Sequence, residues 1–225
     1  MKKVIFSTVG TAMLTNFNIS SPEEIDIIKK NSNVSIEDAP DKLKSIIEKK
    51  KSKIIEILKT NNFDEVKKLS AELNGLISYG DFESETIHYL IKTDTYLGNI
   101  TSGLIEYYLK EISNIPEVFP LEIKKLSTRS TVDFIEGVKN IIYKIQEIIP
   151  KYYGYKILFN LTGGFKSIQG YLNTIGMFYA DEMFYIFETG TELVKIPKLP
   201  IIIDSDVVKK YAVQFALLYQ GLLFN

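Results

Sequence analysis

The chain has no cysteine, no tryptophan and one histidine among 225 residues. Without thiols there is no disulfide framework, no zinc-thiolate site and no thiol nucleophile. A single imidazole, His88, excludes a metal centre assembled from several histidines. An excess of either charge is missing too: 27 Lys plus Arg stand against 28 Asp plus Glu, a formal charge of −1. A protein that grips duplex DNA through its phosphates needs a large basic excess; a small nucleotide needs only a local patch. Long hydrophobic runs are also lacking. The longest uncharged stretch, Tyr211 to Asn225, is interrupted by Gln214 and Gln220 and falls short of the roughly 18–20 residues of a spanning helix. The N-terminal MKKVIFSTVGTAML has the lysines of a signal peptide, but Ser7, Thr8, Gly10 and Thr11 break its apolar part. It reads as a buried first strand and its loop. The expectation is a soluble, cytoplasmic protein that contacts neither membrane nor duplex DNA.

What is present is a core-forming composition, 45% hydrophobic, in an alternating pattern. Val4-Ile5-Phe6 is a short apolar strand running into Ser7-Thr8-Val9-Gly10-Thr11. Leu43, Ile46, Ile47, Ile54, Ile55 and Leu58 recur at helical spacing after Ala39-Pro40-Asp41, and a second helix is predicted over about 64–76, ending near Gly75. The Lys49-Lys50-Lys51 run reads as the solvated face of the first of these helices. Thr86 to Lys92 reads as a strand ending in Thr93-Asp94-Thr95, then a helix through Leu104, Ile105, Tyr108, Leu109 and Ile112. A short β segment spans about 117–126. An amphipathic helix follows from Asp133, capped by Ser130 or Thr131. Lys156 to Asn160 is a further strand, followed by a helix to about Tyr179, strands at 182–187 and 192–196 with a turn at Thr189-Gly190, and a last helix from about Asp206 to the end. That last helix is apolar almost all round and is expected to be buried. Strands alternating with helices predict an α/β fold with a mainly parallel sheet and helices on both faces.

Two loops carry the candidate chemistry, because ligands of open parallel sheets sit beyond the carboxyl ends of the strands. The first is Ser7-Thr8-Val9-Gly10-Thr11. The second is Asn160-Leu161-Thr162-Gly163-Gly164-Phe165-Lys166-Ser167. In the second, two glycines let backbone N–H groups approach an anion, a helix N-terminus adds partial positive charge, Lys166 adds a full one, and Thr162 and Ser167 add hydroxyls. That set describes a phosphate cradle. A Gly-rich turn with a helix cap and a surface lysine accounts for the same residues equally well. Phe165 between Gly164 and Lys166 departs from a Walker A loop, and its ring is suited to stacking on a base. Asp94 is placed to line the same rim or to cap a turn. His88, between Ile87 and Tyr89, reads as a packed or edge histidine. No spacing of Asp and Glu points to a metal site.

These motifs, in this order, resemble the CARF (CRISPR-associated Rossmann fold) domain family in its small, single-domain subfamily. The pieces that carry the resemblance are Ser7–Thr11 with Leu14-Thr15-Asn16, Ser70-Ala71-Glu72-Leu73, Thr93-Asp94-Thr95 with Gly98, Phe134-Ile135-Glu136-Gly137-Val138, Asn160–Lys166, and Leu199-Pro200-Ile201. The resemblance implies a Rossmann-like three-layer sandwich over residues 1–203, with a helical insertion at about 40–76, and a C-terminal apolar helix at 204–225 that packs in a dimer or leads into an effector domain. It implies a homodimer that binds a cyclic oligoadenylate, cyclic tetra-adenylate foremost, across its two-fold axis as a type III CRISPR antiviral-defence sensor. The alternative is a ring nuclease that cuts the ring without metal or cofactor, by 2′-hydroxyl attack on the adjacent phosphate, leaving a 2′,3′-cyclic phosphate end. The ligand contacts so implied are Thr8, Gly10, Thr11, Ala12 and Asn16 of the first loop, Asp94 on the rim, and Asn160, Thr162, Gly163, Gly164, Phe165, Lys166 and Ser167 of the second. Lys166, with Thr11, would carry cleavage by stabilising developing charge. Relatives that cleave often carry Ser directly after Gly-Thr, where this chain has Ala12, which sets the sensor reading ahead of the nuclease.

Overall fold

A computed structural model describes residues 1–80, 85–127, 130–164, 166–187, 192–202 and 204–220, the side chains of Lys166 and Ser167 excepted. Six strands form one sheet: β1 (Lys3–Thr8), β2 (Thr86–Thr93), β3 (Val118–Ile123), β4 (Lys156–Asn160), β5 (Glu182–Ile186) and β6 (Leu193–Ile196). Their spatial order is β3-β2-β1-β4-β5-β6. The four pairings among β1 to β5 are parallel and β5–β6 is antiparallel. This is the doubly wound arrangement expected from the alternation, and its order reverses between β1 and β4. Pro120 is accommodated because β3 is an edge strand, where a missing N–H breaks no ladder on its open side.

The alternation of the strand side chains divides the core. Ile5, Leu90, Leu158 and Phe184 face one layer, and Val4, Phe6, Ile87, Phe159 and Met183 the other. The first layer holds α1 (Pro22–Lys30), α2 (Asp41–Lys59), α3 (Phe63–Leu69), α4 (Ala71–Tyr79) and α5 (Tyr96–Tyr107). The second holds α6 (Thr131–Ile148) and α7 (Lys166–Tyr179). Among described residues, α8 (Ser205–Lys210) and α9 (Ala212–Tyr219) close the chain. Ser130 caps α6, its side chain accepting from the Asp133 N–H, as the sequence predicts. His88 is fully buried in β2.

Three expectations need correction. The single helix predicted over 64–76 is two helices, because Ser70 adopts extended backbone (φ −134°, ψ 125°) and accepts the Leu73 N–H to start a new one. Gly75 does not end that helix; it lies inside α4, which stops at Gly80 in the left-handed region. Lys50 is not on a solvated face. It is 2% exposed, with Nζ 2.6 Å from Glu24 Oε2 of α1 and 3.2 Å from the Ile19 carbonyl, so the buried charge is paired. The apolar α9, expected to pack in a dimer or to lead into an effector domain, is not covered within this chain: Val213 is 70% and Tyr219 65% exposed. It touches α6 through Tyr219, whose ring centre lies 4.0 Å from Lys139 Nζ and whose hydroxyl meets that of Tyr143. The turn expected at Thr189-Gly190 lies outside the described residues.

Candidate functional site at the β1–β4 switch point

The carboxyl ends of β1 and β4 are paired, Ser7 opposite Asn160, so the loops that follow them leave the sheet side by side. Thr8 Oγ1 donates to the Gly163 carbonyl at 2.5 Å. A Cβ on Gly10 would lie 3.0 Å from the Gly164 nitrogen and 3.1 Å from its Cα, and one on Gly164 would lie 2.7 Å from Thr8 Cβ. Backbone therefore packs on backbone. Gly164, at φ 92°, also needs a conformation that side chains disfavour.

Asn160 organises the second loop from beneath. It is fully buried; its Nδ2 donates to Ser7 Oγ at 3.3 Å and to the Glu72 carbonyl at 3.0 Å, and its Oδ1 accepts the Thr162 N–H at 3.2 Å. Gln169 of α7 ties the same loop from the other side, Nε2 donating to the Leu161 carbonyl at 2.9 Å and the Gly163 carbonyl at 3.3 Å. Gly75 lets α4 reach this place, since a Cβ there would lie 2.4 Å from both Asn160 Oδ1 and Thr162 Oγ1.

Between the loops sits Glu72, 1% exposed, in the first turn of α4. Its Oε1 accepts the Gly10 N–H at 2.7 Å and its Oε2 accepts from Ser70 Oγ at 2.8 Å. Burial pushes the pKa of its carboxyl up, and backbone and side-chain hydrogen bonding at Gly10, Ser70 and Gly164 works against that rise. Sequence reading notes Ser70–Leu73 only as part of a resemblance and assigns Glu72 no role. The signal that finds it is geometric: the Ser70 break turns the helix so that Glu72 meets both loops.

Asn16 and Asp94, also expected on the rim, make their described contacts away from Glu72. Beyond Gly10 the chain makes a tight turn in which the Thr11 carbonyl accepts from the Leu14 and Thr15 N–H groups. Ala12 is exposed there. Asn16 holds that turn to α3, Nδ2 donating to the Lys68 carbonyl at 2.8 Å while Oδ1 accepts the Asn18 N–H at 3.0 Å. Asp94 lies at the end of β2, the neighbour of β1. Its Oδ2 accepts the Lys125 N–H at 3.1 Å in a polar cavity shared with Asn33, Ser35, Ser127 and Asp133. Thr95 caps α5 through the Gly98 N–H. Lys166 opens α7 directly beyond the second loop; the side chains of Lys166 and Ser167, and all of Phe165, lie outside the described residues. Among those described there is no group of three or more His, Asp or Glu that would hold a metal ion. No described helix is long and apolar enough to cross a membrane.

The fold and the paired loops at its switch point define a Rossmann-like α/β protein with two glycine loops in contact at the carboxyl edge of its sheet. A family of CRISPR-associated proteins, Cas_APE2256, matches residues 67–199, more than half the chain, and the chain belongs to it. The matched stretch holds Glu72, Asp94 and the whole second loop; the first loop precedes it. No curated protein matches the chain.

Proposed function

We propose that this CRISPR-associated protein is a CARF-type sensor that binds a cyclic oligoadenylate, cyclic tetra-adenylate foremost, across a homodimer in the cytoplasm as part of a type III response. The observation that carries the reading is the contact of the two glycine loops at the switch point, Thr8 Oγ1 on the Gly163 carbonyl and Gly10 against Gly164. A ring of identical nucleotides suits two copies of such a rim related by a two-fold axis. The apolar, solvent-facing α9 supports the dimer, because an exposed face of this kind is a surface for a partner, and a second copy of the chain is the partner proposed. Membership of a CRISPR-associated family supports the pathway.

The test is calorimetric titration of the full chain with cyclic tri-, tetra- and hexa-adenylate, followed by product analysis. The expected result is one intact tetra-adenylate ring per two chains. Linear di-adenylate with cyclic-phosphate ends would replace the sensor with a ring nuclease, with Lys166 at the head of α7 as the charge-stabilising residue. No binding at any ring size would overturn the reading.

A further inference from the structure

The N–H groups that sequence reading assigns to an incoming phosphate already have an acceptor within the protein. The Gly10 N–H donates to Glu72 Oε1 at 2.7 Å, and the Gly164 backbone acts on the same carboxyl to favour its charged form. An acidic residue in a first helical turn is ordinarily favourable from solvent, so it needs no burial. Here the carboxylate is 1% exposed. Burying such a group is costly unless every lone pair is used, and an apolar side chain serves stability as well. What the carboxylate contributes is geometry. Three segments converge on it: Gly10 after β1 and Ser70 before α4 donate to it, and Gly163 after β4 packs against it. Its backbone carbonyl is fixed as well, by Asn160 Nδ2. Its aliphatic stem lies flat against Gly163, where a Cβ would fall 2.4 Å from Cγ and Cδ.

We infer that Glu72 is the positioning residue of this site, its carboxylate serving as the common acceptor that fixes both glycine loops in one geometry before any ligand arrives. A ligand then meets a finished rim and loses no binding energy to ordering it. The anion must also use donors other than Gly10 and Gly164. Among the described residues, the N–H groups of Thr11 and Ala12, next along the first loop and open to solvent, donate to no protein acceptor.

The experiment uses the full chain without ligand, reading amide hydrogen exchange by NMR at Gly10 and Gly164, with Leu158 in β4 as internal control. Glu72→Ala removes the acceptor, and Glu72→Asp keeps the charge but shortens the reach by one methylene. Both should speed exchange at the two glycines by about tenfold or more, the loss of a buried hydrogen-bond acceptor, with Leu158 unchanged. Glu72→Gln keeps an oxygen for the glycines and an NH2 for Ser70 Oγ, and should restore protection. Wild-type exchange at Gly10 and Gly164 in a folded Glu72→Asp or Glu72→Ala chain overturns the inference. A binding arm rests on the proposed ligand: affinity for cyclic tetra-adenylate should fall about tenfold in Glu72→Ala and Glu72→Asp and recover in Glu72→Gln. If the wild type binds no ring yet the exchange pattern holds, the ligand assignment fails and the latch stands.

Discussion

Gly163 and Glu72 occupy one space: a Cβ at position 163 would lie 2.2 Å from Glu72 Oε1, nearer than any real contact. Gly163→Ala must therefore expel the Glu72 side chain from its buried seat. Overpacking of this kind costs about 1–3 kcal/mol, and the melting temperature of a chain this size should fall by roughly 2–4 °C per kcal/mol. If the clash is with Glu72, the cost should shrink in the Gly163→Ala, Glu72→Ala double variant, giving a coupling energy of about 0.5–3 kcal/mol. Additive losses in thermal melts would show that Gly163 is constrained by something else.

Gly75 offers a sharper contrast with other helical glycines. Alanine inside a helix gains about 0.5–1 kcal/mol over glycine where nothing obstructs it. Gly103 in α5 and Gly170 in α7 have open space around their missing Cβ, so Gly103→Ala and Gly170→Ala should each stabilise by that amount. Gly75→Ala meets Asn160 Oδ1 and Thr162 Oγ1 at 2.4 Å and should destabilise despite its better helix propensity. Denaturant midpoints of the three variants check the order.

The architecture was legible because its signal is periodic. Val4-Ile5-Phe6 and Ile157-Leu158-Phe159 announce two-faced strands, and the residues after them fall at the carboxyl edge whatever the detail. Both loops were found that way. Glu72 was not, since nothing local distinguishes it from any acidic residue in a first helical turn. Its role depends on Ser70 breaking one helix into two, a side-chain cap that overrides a pattern apolar on both sides. Lys50 was misread for a related reason: its partner, Glu24, is 26 positions away on another helix, and only the packed fold brings them together. The apolar run of α9 reads as a face that needs a cover in a dimer or an effector domain, and within the single chain it is exposed, because periodicity records what a face needs and not what supplies it.

The raised carboxyl of Glu72 sets a direction for stability against pH. Its folded state holds the proton to higher pH than the unfolded chain does. The stabilisation it gives in acid is therefore lost as pH climbs from the ordinary carboxylate range through the raised value. Glu24, held low chiefly by its hydrogen bond from Lys50, runs the other way and loses its contribution as pH falls. The ionisable groups at the far end of α4 are paired among themselves: Glu182 takes Lys156 at 2.7 Å and Lys195 at 2.9 Å, beside Tyr79. They are common to wild type and variant, so subtracting the Glu72→Gln curve isolates Glu72. Stability of the wild type relative to Glu72→Gln should decline with rising pH over that window; a flat difference would mean the carboxyl titrates normally.

Cleavage, if the ring is cut at all, turns on two positions that flank this fixed frame. Ala12 stands exposed in the first loop, on a turn held by the Thr11 carbonyl and tied to α3 through Asn16. The backbone there is set by contacts that a hydroxyl does not disturb, so Ala12→Ser adds a donor without moving its neighbours. It should raise the yield of linear di-adenylate from cyclic tetra-adenylate under single-turnover conditions. Lys166, at the opposite lip where α7 begins, supplies charge and not structure in this scheme. Lys166→Ala should weaken binding and abolish the cleavage that Ala12→Ser brings, with the melting temperature kept. Because a hydroxyl that only contacts phosphate and a lysine that stabilises the developing charge act on one transition state, the double variant should match Lys166→Ala alone. An Ala12→Ser rate that survives loss of Lys166 would place the charge-stabilising group elsewhere on the rim.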